Sequence, residues 1–429
     1  MDVILKNGRV VDPANSMDTE ADILVKAGKI AQVGKGLKVQ DARQVDCKGK
    51  VVLPGLIDSH THFRQPGRED EEDFVTGSRA ALKGGFTSVL CMANTNPVVD
   101  NKGVVEYICS EAAKAGLINI YTVAAVTKGL EGKELTETAQ ISAAGAKALS
   151  DDGKPVINPE ILRRAMEYAK MFNLPVISHC EDPFLSRNGV MNEGLLSTRM
   201  GLKGIPRAAE TVMVARDIEI ARLSGARLHI AHVSTKESVE AVRQAKKRKI
   251  AVTCETCPHY FVLTEEAVSE YNTNAKVNPP LRTQEDVEAI KKGLSDGTID
   301  IISTDHAPHS AEEKDVEFDF AATGMIGLEF AASLSYMELV KKNVLDWKGF
   351  AEKLSINPSR LLSLKNKGSL SEGADADITV FDPSGTRKVE ISSIESKSKN
   401  TPLLGRELAG TAAIVIVGGK IKYENGKFC

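Results

Sequence analysis

The sequence predicts an α/β protein, a (β/α)8 TIM barrel carrying a small β-sandwich domain formed by the N- and C-terminal segments. Three observations predict it. Short apolar runs alternate with amphipathic stretches through the middle of the chain, the pattern of parallel strands joined by crossover helices. The two ends are instead alternating, turn-punctuated and β-like. Most of the histidines stand at the ends of the apolar runs, and a parallel barrel gathers such strand ends at one mouth. A doubly wound open sheet is the runner-up, but no G-x-G-x-x-G or G-x-x-x-x-G-K-S/T is present to give it a phosphate-binding function.

In chain order, Val3-Ile4-Leu5-Lys6-Asn7-Gly8 reads as a strand and turn, and residues 21–30 as a hairpin around Ala27-Gly28. The run Val51-Val52-Leu53-Pro54-Gly55-Leu56-Ile57 reads as one buried strand leading into Asp58-Ser59-His60-Thr61-His62. Barrel strands are expected near 51–60, 88–94, 118–126, 146–151, 174–180, 227–233, 249–255 and 299–305, with amphipathic stretches such as 159–168 between them. Residues 374–381 and 413–421 are strand-like, the latter with a Gly-Gly turn. The expected division is 1–52 and 366–429 for the small domain, and 53–365 for the barrel.

Composition narrows function by exclusion. An apolar content of 42%, a charged content of 26% and a net charge of −3 suit a soluble globular protein and give no electrostatic case for nucleic acid or anionic membrane. The start lacks a basic region and long apolar core, and no run reaches the roughly 18 apolar residues of a membrane span. Seven cysteines, an odd number, argue against a disulfide framework and for a reducing cytoplasm. Cys254 and Cys257 form a lone C-x-x-C; without a second pair they read as two packed thiols.

The eight histidines carry the chemistry. His60 and His62, two apart on a strand, share a face and form half of a site for a divalent metal. Alone the pair is weak, because polar side chains at strand ends often simply meet solvent. His179 follows Leu174–Ser178, His232 follows Arg227–Ala231, and Asp305-His306 follow Ile299–Thr304, so the pattern repeats. His229, three before His232, is expected to face the other way, towards the core or a helix. His259 is expected in a loop beside the site, and His306 as an orienting residue.

A set of motifs is more specific. Asp58 to Gly67 (H-x-H-x-R), Met92-Ala93-Asn94-Thr95-Asn96-Pro97, Ser150-Asp151-Asp152-Gly153, Val277-Asn278-Pro279-Pro280-Leu281-Arg282, Thr304-Asp305-His306-Ala307-Pro308-His309 and Gly368 to Asp377 together resemble the class I bacterial dihydroorotases of the amidohydrolase superfamily, nearly end to end. The resemblance implies reversible cyclisation of carbamoyl-aspartate to dihydroorotate in pyrimidine synthesis. It also implies two zinc ions: His60, His62 and Asp305 on one, His179 and His232 on the other, and Asp152 bridging. Imidazole and carboxylate are suitable ligands for zinc, and a catalytic site keeps a position open for water. Asp305 would be the catalytic base. His62, Arg64, Asn94, Asn278, His309, Thr323 and Gly324 would contact substrate, Arg64 offering its fork to a carboxylate.

Two departures accompany it. Lys147 falls about where hydantoinases place a carboxylated bridging lysine, although a lysine at a strand end more often reaches for solvent. Ahead of Gly324 the family's aromatic residue is missing, the chain reading Ala322-Thr323-Gly324. Asp151 is left a turn role, and residues 307–322 are expected to lie over the substrate as a lid. The competing readings are a hydantoinase or allantoinase and a non-catalytic scaffold for aspartate transcarbamoylase, against which the six intact ligand positions stand. A homodimer and a complex with aspartate transcarbamoylase are open partnerships.

Overall fold

The computed structural model describes residues 2–429. Eight parallel strands form the barrel: Leu56–Thr61, Phe86–Cys91, Asn119–Ala124, Ala148–Leu149, Val176–Ser178, Leu228–Ile230, Val252–Thr256 and Ile301–Ile302. They are hydrogen-bonded in sequence order, as right-handed βαβ crossovers demand. The ends meet through a bridge from Thr61 to His306 and a hydrogen bond from the His62 amide to the His306 carbonyl (2.9 Å). Asp58 ties the same seam, its Oδ1 accepting from the amides of His60 and Thr304, both at 3.1 Å. The fold is therefore a (β/α)8 barrel.

The strands are apolar because both faces are covered; Phe86–Cys91 is buried throughout. Helices pack outside by the expected rule. Pro159–Met171 starts at an Asn158 cap with proline in its first turn, and buries Leu162, Ala165, Met166 and Ala169 at helical spacing. No helix among the described residues is long and apolar enough to cross a membrane.

The two chain ends build one nine-stranded sheet. Val3–Asp12 pairs with Met17–Lys26, Arg43–Asp46 and Val51–Pro54; Val51–Pro54 in turn pairs with Ile378–Lys388, which leads on to Glu407–Val417 and Lys420–Glu424. Here the single strand expected over residues 51–57 divides. Residues before Gly55 belong to the terminal sheet, and those after it to the barrel. Pro54 has no amide to donate. The Gly55 amide is taken by the Asp377 carbonyl at 2.8 Å, and a Cβ at Gly55 would lie 2.2 Å from Thr87 Oγ1. The apolar run is continuous in sequence because both sheets bury it.

Candidate metal and substrate site

Six side chains converge where the barrel strands end. His60 lies within the first strand and His62 just beyond it, Asp152 follows the fourth, His179 the fifth, His232 the sixth and Asp305 the eighth. His232 (φ 31°) and Asp305 (φ 48°) have left-handed backbones, uncommon for such residues and a way of turning a side chain back across a strand end. The imidazole centroids of His60 and His232 are 5.2 Å apart, and those of His179 and His232 are 4.7 Å apart.

The donor spacing suits metal. His60 Nε2 is 3.5 Å from both Asp152 Oδ1 and Asp305 Oδ1. His62 Nε2 is 3.1 Å from Asp305 Oδ1 and 3.5 Å from Asp152 Oδ2. His179 Nδ1 and His232 Nε2 lie 3.6 and 3.7 Å from Asp152 Oδ1. Ligands about 2.1 Å from a tetrahedral ion stand roughly 3.4 Å apart. His60 Nε2 and Asp152 Oδ1 are buried with no hydrogen-bond partner among the described residues, a costly state unless a ligand completes them. Within the cluster two groupings, His60-His62-Asp305 and His60-Asp152-His232, bring their ligand atoms close enough to share an ion, and a rim trio, Glu71-His309-Glu313, is as closely spaced. Burial raises the Asp305 carboxyl, but His60 and His62 outweigh it and hold it down at about 2.

The floor of the site is fully buried. Glu255, with no exposed side-chain surface, accepts from His60 Nδ1 (2.7 Å) and Ser59 Oγ (2.7 Å), and its Oε2 is 3.1 Å from His229 Nε2. This fixes the His60 tautomer with Nε2 free for a metal. His229 is buried as core, but it faces this carboxylate rather than a helix. The expected alternation fails because the strand stops at Ile230 and His232 has left it.

At the rim, the clustered histidines share hydrogen bonds with the residues expected to contact substrate. His62 Nδ1 is 2.9 Å from Asn94 Oδ1. His179 Nε2 is 3.0 Å from Glu181 Oε2, and the same oxygen accepts from Asn278 Nδ2 at 2.6 Å. Arg64 donates to the Pro308 carbonyl (3.0 Å), pairs with Glu71 (3.1 Å) and approaches His309 Nε2 (3.2 Å). His309 Nδ1 lies between Glu71 (2.9 Å) and Glu313 (3.1 Å), and its Nε2 is 3.1 Å from the Thr323 carbonyl. The loops carrying Arg64 and Asn94 touch: a Cβ on Gly67 (φ 99°) would fall 1.9 Å from the Asn96 carbonyl oxygen, so only glycine fits. Thr323 is exposed and Gly324 buried, the Gly324 amide bonding the Lys276 carbonyl at 2.9 Å.

Other expectations resolve plainly. Asp151 turns from the cluster and accepts from the amides of Val126 (2.7 Å) and Thr127 (3.0 Å). The Lys147 ammonium lies 5.9 Å over the Tyr121 ring and joins neither grouping of donors. Cys254 and Cys257 are free and buried. His259 is in a short helix, Pro258–Val262, not a loop. His306 orients its loop, its Nδ1 accepting from the Gly327 amide at 3.1 Å. The segment after Pro308 is strapped down: Lys276 Nζ donates to the carbonyls of Phe318 (2.7 Å), Asp319 (3.0 Å) and Ala321 (2.8 Å), and Lys314 Nζ to those of Ala322 (2.7 Å) and Gly324 (3.0 Å). Sequence reading missed Glu255, Glu181 and Glu71. A carboxylate inside an apolar strand, and one two residues beyond a strand-end histidine, were signals for the first two.

The chain is 52% identical over 425 residues to a dihydroorotase of Geotalea daltonii, covering 99% of this chain and all of that one. The chain belongs to the dihydroorotase family. A second relative, the dihydroorotase of Acetivibrio thermocellus, is 52% identical over 419 residues, 98% of each chain. The family described as dihydro-orotase-like matches residues 49–238. Among solved structures, an L-hydantoinase (dihydropyrimidinase) of Arthrobacter aurescens superposes with a TM-score of 0.89 at 25% identity, covering 100% of this chain and 97% of that one. A dihydropyrimidinase of Brevibacillus agri gives 0.88 at 24%, covering 100% and 96%, a likeness of fold. The family places the chain among the amidohydrolases, as a cyclic amide hydrolase with a metal site.

Proposed function

We propose that this protein is a class I dihydroorotase, interconverting carbamoyl-aspartate and dihydroorotate with two zinc ions. The observation that carries the reading is the union, in a chain 52% identical to dihydroorotases end to end, of a converging His/Asp cluster with an Arg64 guanidinium at its rim. His60, His62 and Asp305 would hold one ion, His179 and His232 the other, and Asp152 both. When bound, such ions act as Lewis acids and make water a nucleophile near neutral pH.

The rest falls to the chain's own residues. Asp305, ionised and slightly exposed, takes the proton of the attacking water and returns it to the leaving ring nitrogen. Arg64, its Nε already anchored on Pro308, presents its remaining donors to the substrate carboxylate. Asn94 uses its oxygen on His62 and keeps its NH2 for substrate; Asn278 uses its NH2 on Glu181 and keeps its oxygen for a ring N–H. His309 and the Thr323-Gly324 backbone complete the pocket. The test is dihydroorotate ring opening by purified protein, before and after chelation and zinc return, with metal counted on the same sample. Zinc-restored turnover at about two ions per chain supports the reading. Full metal without dihydroorotate turnover refutes it.

A further inference from the structure

We propose that Glu181 is a positioning residue that couples metal retention to substrate binding, by holding His179 and Asn278 on one carboxylate oxygen. The inference rests on the dihydroorotase reading above and deepens it. Oε2 of Glu181 accepts from His179 Nε2 at 3.0 Å and from Asn278 Nδ2 at 2.6 Å. The first contact protonates Nε2 and turns the Nδ1 lone pair inward, where Nδ1 stands 2.9 Å from His232 Nε2 and 3.6 Å from Asp152 Oδ1. The second fixes the Asn278 amide so that its carbonyl oxygen, which has no hydrogen-bond partner among the described residues, is the free acceptor. The loop behind Asn278 is itself braced, with Tyr260 Oη donating to the Pro279 carbonyl at 2.6 Å. Backbone position therefore survives loss of Glu181, while amide orientation does not.

No other carboxylate at the site makes this double contact. Glu255 holds His60 but bonds only groups of the floor. Glu71 holds Arg64 and His309, neither of which belongs to the six side chains converging at the strand ends. Glu181 sits at a joint, with its side chain 17% exposed. It has the reach to hold the metal-side histidine and the substrate-side amide at once.

The test compares zinc-loaded wild type, Glu181→Ala, Glu181→Gln, Asn278→Ala and the Glu181→Ala/Asn278→Ala double variant. Two quantities are read: KM and kcat for dihydroorotate, and the rate of zinc loss to a chelator without substrate. Glu181→Ala should raise KM about tenfold with a smaller fall in kcat, and speed zinc loss about tenfold, the usual scale for removing such a partner of a metal-binding histidine. Glu181→Gln keeps an oxygen of the same reach and should recover most of both. Asn278→Ala should raise KM and leave zinc loss unchanged. The double variant should have a KM no worse than the poorer single variant. Multiplying KM effects in the double variant, or wild-type KM and zinc loss in Glu181→Ala, overturn the proposal. If the alanine variant does not fold, Glu181→Asp draws the oxygen back by one methylene and must show both changes. Wild type that fails to open dihydroorotate sinks the functional reading instead, and the zinc-loss comparison still decides whether Glu181 holds His179.

Discussion

His60 on the floor of the site and His179 at its rim are each fixed by a glutamate, and the surroundings of the two glutamates differ. Glu255 is sealed inside the barrel with Ser59 and His229, 0% exposed, and touches nothing that substrate reaches. Glu181 stands at the edge of the mouth and shares one oxygen between His179 and Asn278, the asparagine proposed to meet substrate. His62 repeats the rim arrangement through Asn94. The floor is thus an extension of the hydrophobic core, and the rim an extension of the binding pocket. Damage to the floor should appear as lost fold together with lost metal, and damage to the rim as weaker substrate binding and, through Glu181, faster metal loss from a protein that stays folded.

Asp305 stands between the two and gives the largest effect. Asp305→Asn keeps an oxygen towards His60 and His62 but removes the base. Turnover should fall by roughly a thousandfold, within the usual range for general acid–base catalysis, while most zinc stays. Activity within a few-fold of wild type would remove Asp305 from the proton path, and loss of all zinc would make it a ligand first.

Glu255→Ala is the sharpest test of the floor. It removes the acceptor of Ser59 and His60 and the carboxylate facing His229, all at fully buried positions. Breaking such a buried charged network costs about 3–5 kcal/mol, so the melting temperature of the metal-free protein should drop by several degrees. Glu181→Ala, at a partly exposed position, should leave that temperature nearly unchanged. Equal thermal losses for the two variants would erase the distinction between floor and rim.

Much of this was legible in the sequence, for physical reasons. A parallel barrel gathers its functional side chains where strands end, so His60, His62, His179, His232 and Asp305 were marked as candidate metal donors by the apolar runs before them. What escaped depended on backbone events that periodicity does not encode. His232 leaves its strand with a positive φ, so counting residues back to His229 gave its burial but not that it meets Glu255 beneath His60. Gly55 hands the chain from one sheet to another with no gap in hydrophobicity. Glu255 was overlooked between Cys254 and Cys257, whose spacing drew the eye although both thiols are only packed. Glu181 acts through two partners 2 and 97 residues away, and only the fold brings the second to it.

Arg64→Lys probes the rim from the substrate side. A lysine keeps the charge but loses the fork that bonds Pro308 and leaves donors for a carboxylate. A charge-assisted contact is worth about 1.5–3 kcal/mol, so KM for dihydroorotate should rise about ten- to a hundredfold. Zinc content should not change, because the hydrogen bonds and ion pairs of the guanidinium go to Pro308, Glu71 and His309 and to none of the six donors at the strand ends. A variant with normal KM but depleted zinc would move Arg64 from the pocket to the scaffold.

Lys147→Ala should do least. If this lysine bridged metals as a carbamate, its loss would strip zinc and abolish turnover. The ammonium instead lies over the Tyr121 ring, and Asp152 already occupies the central place, with one oxygen towards His60, His179 and His232 and the other towards His62. A carbamate placed there would crowd Asp152 and Asp305 with like charge. The variant loses a cation–π contact worth about 0.5–1 kcal/mol, so activity, zinc content and their pH dependence should match wild type within about twofold. Collapse of turnover on this single change would place Lys147 at the metals and would require the fourth strand end to be rebuilt around it.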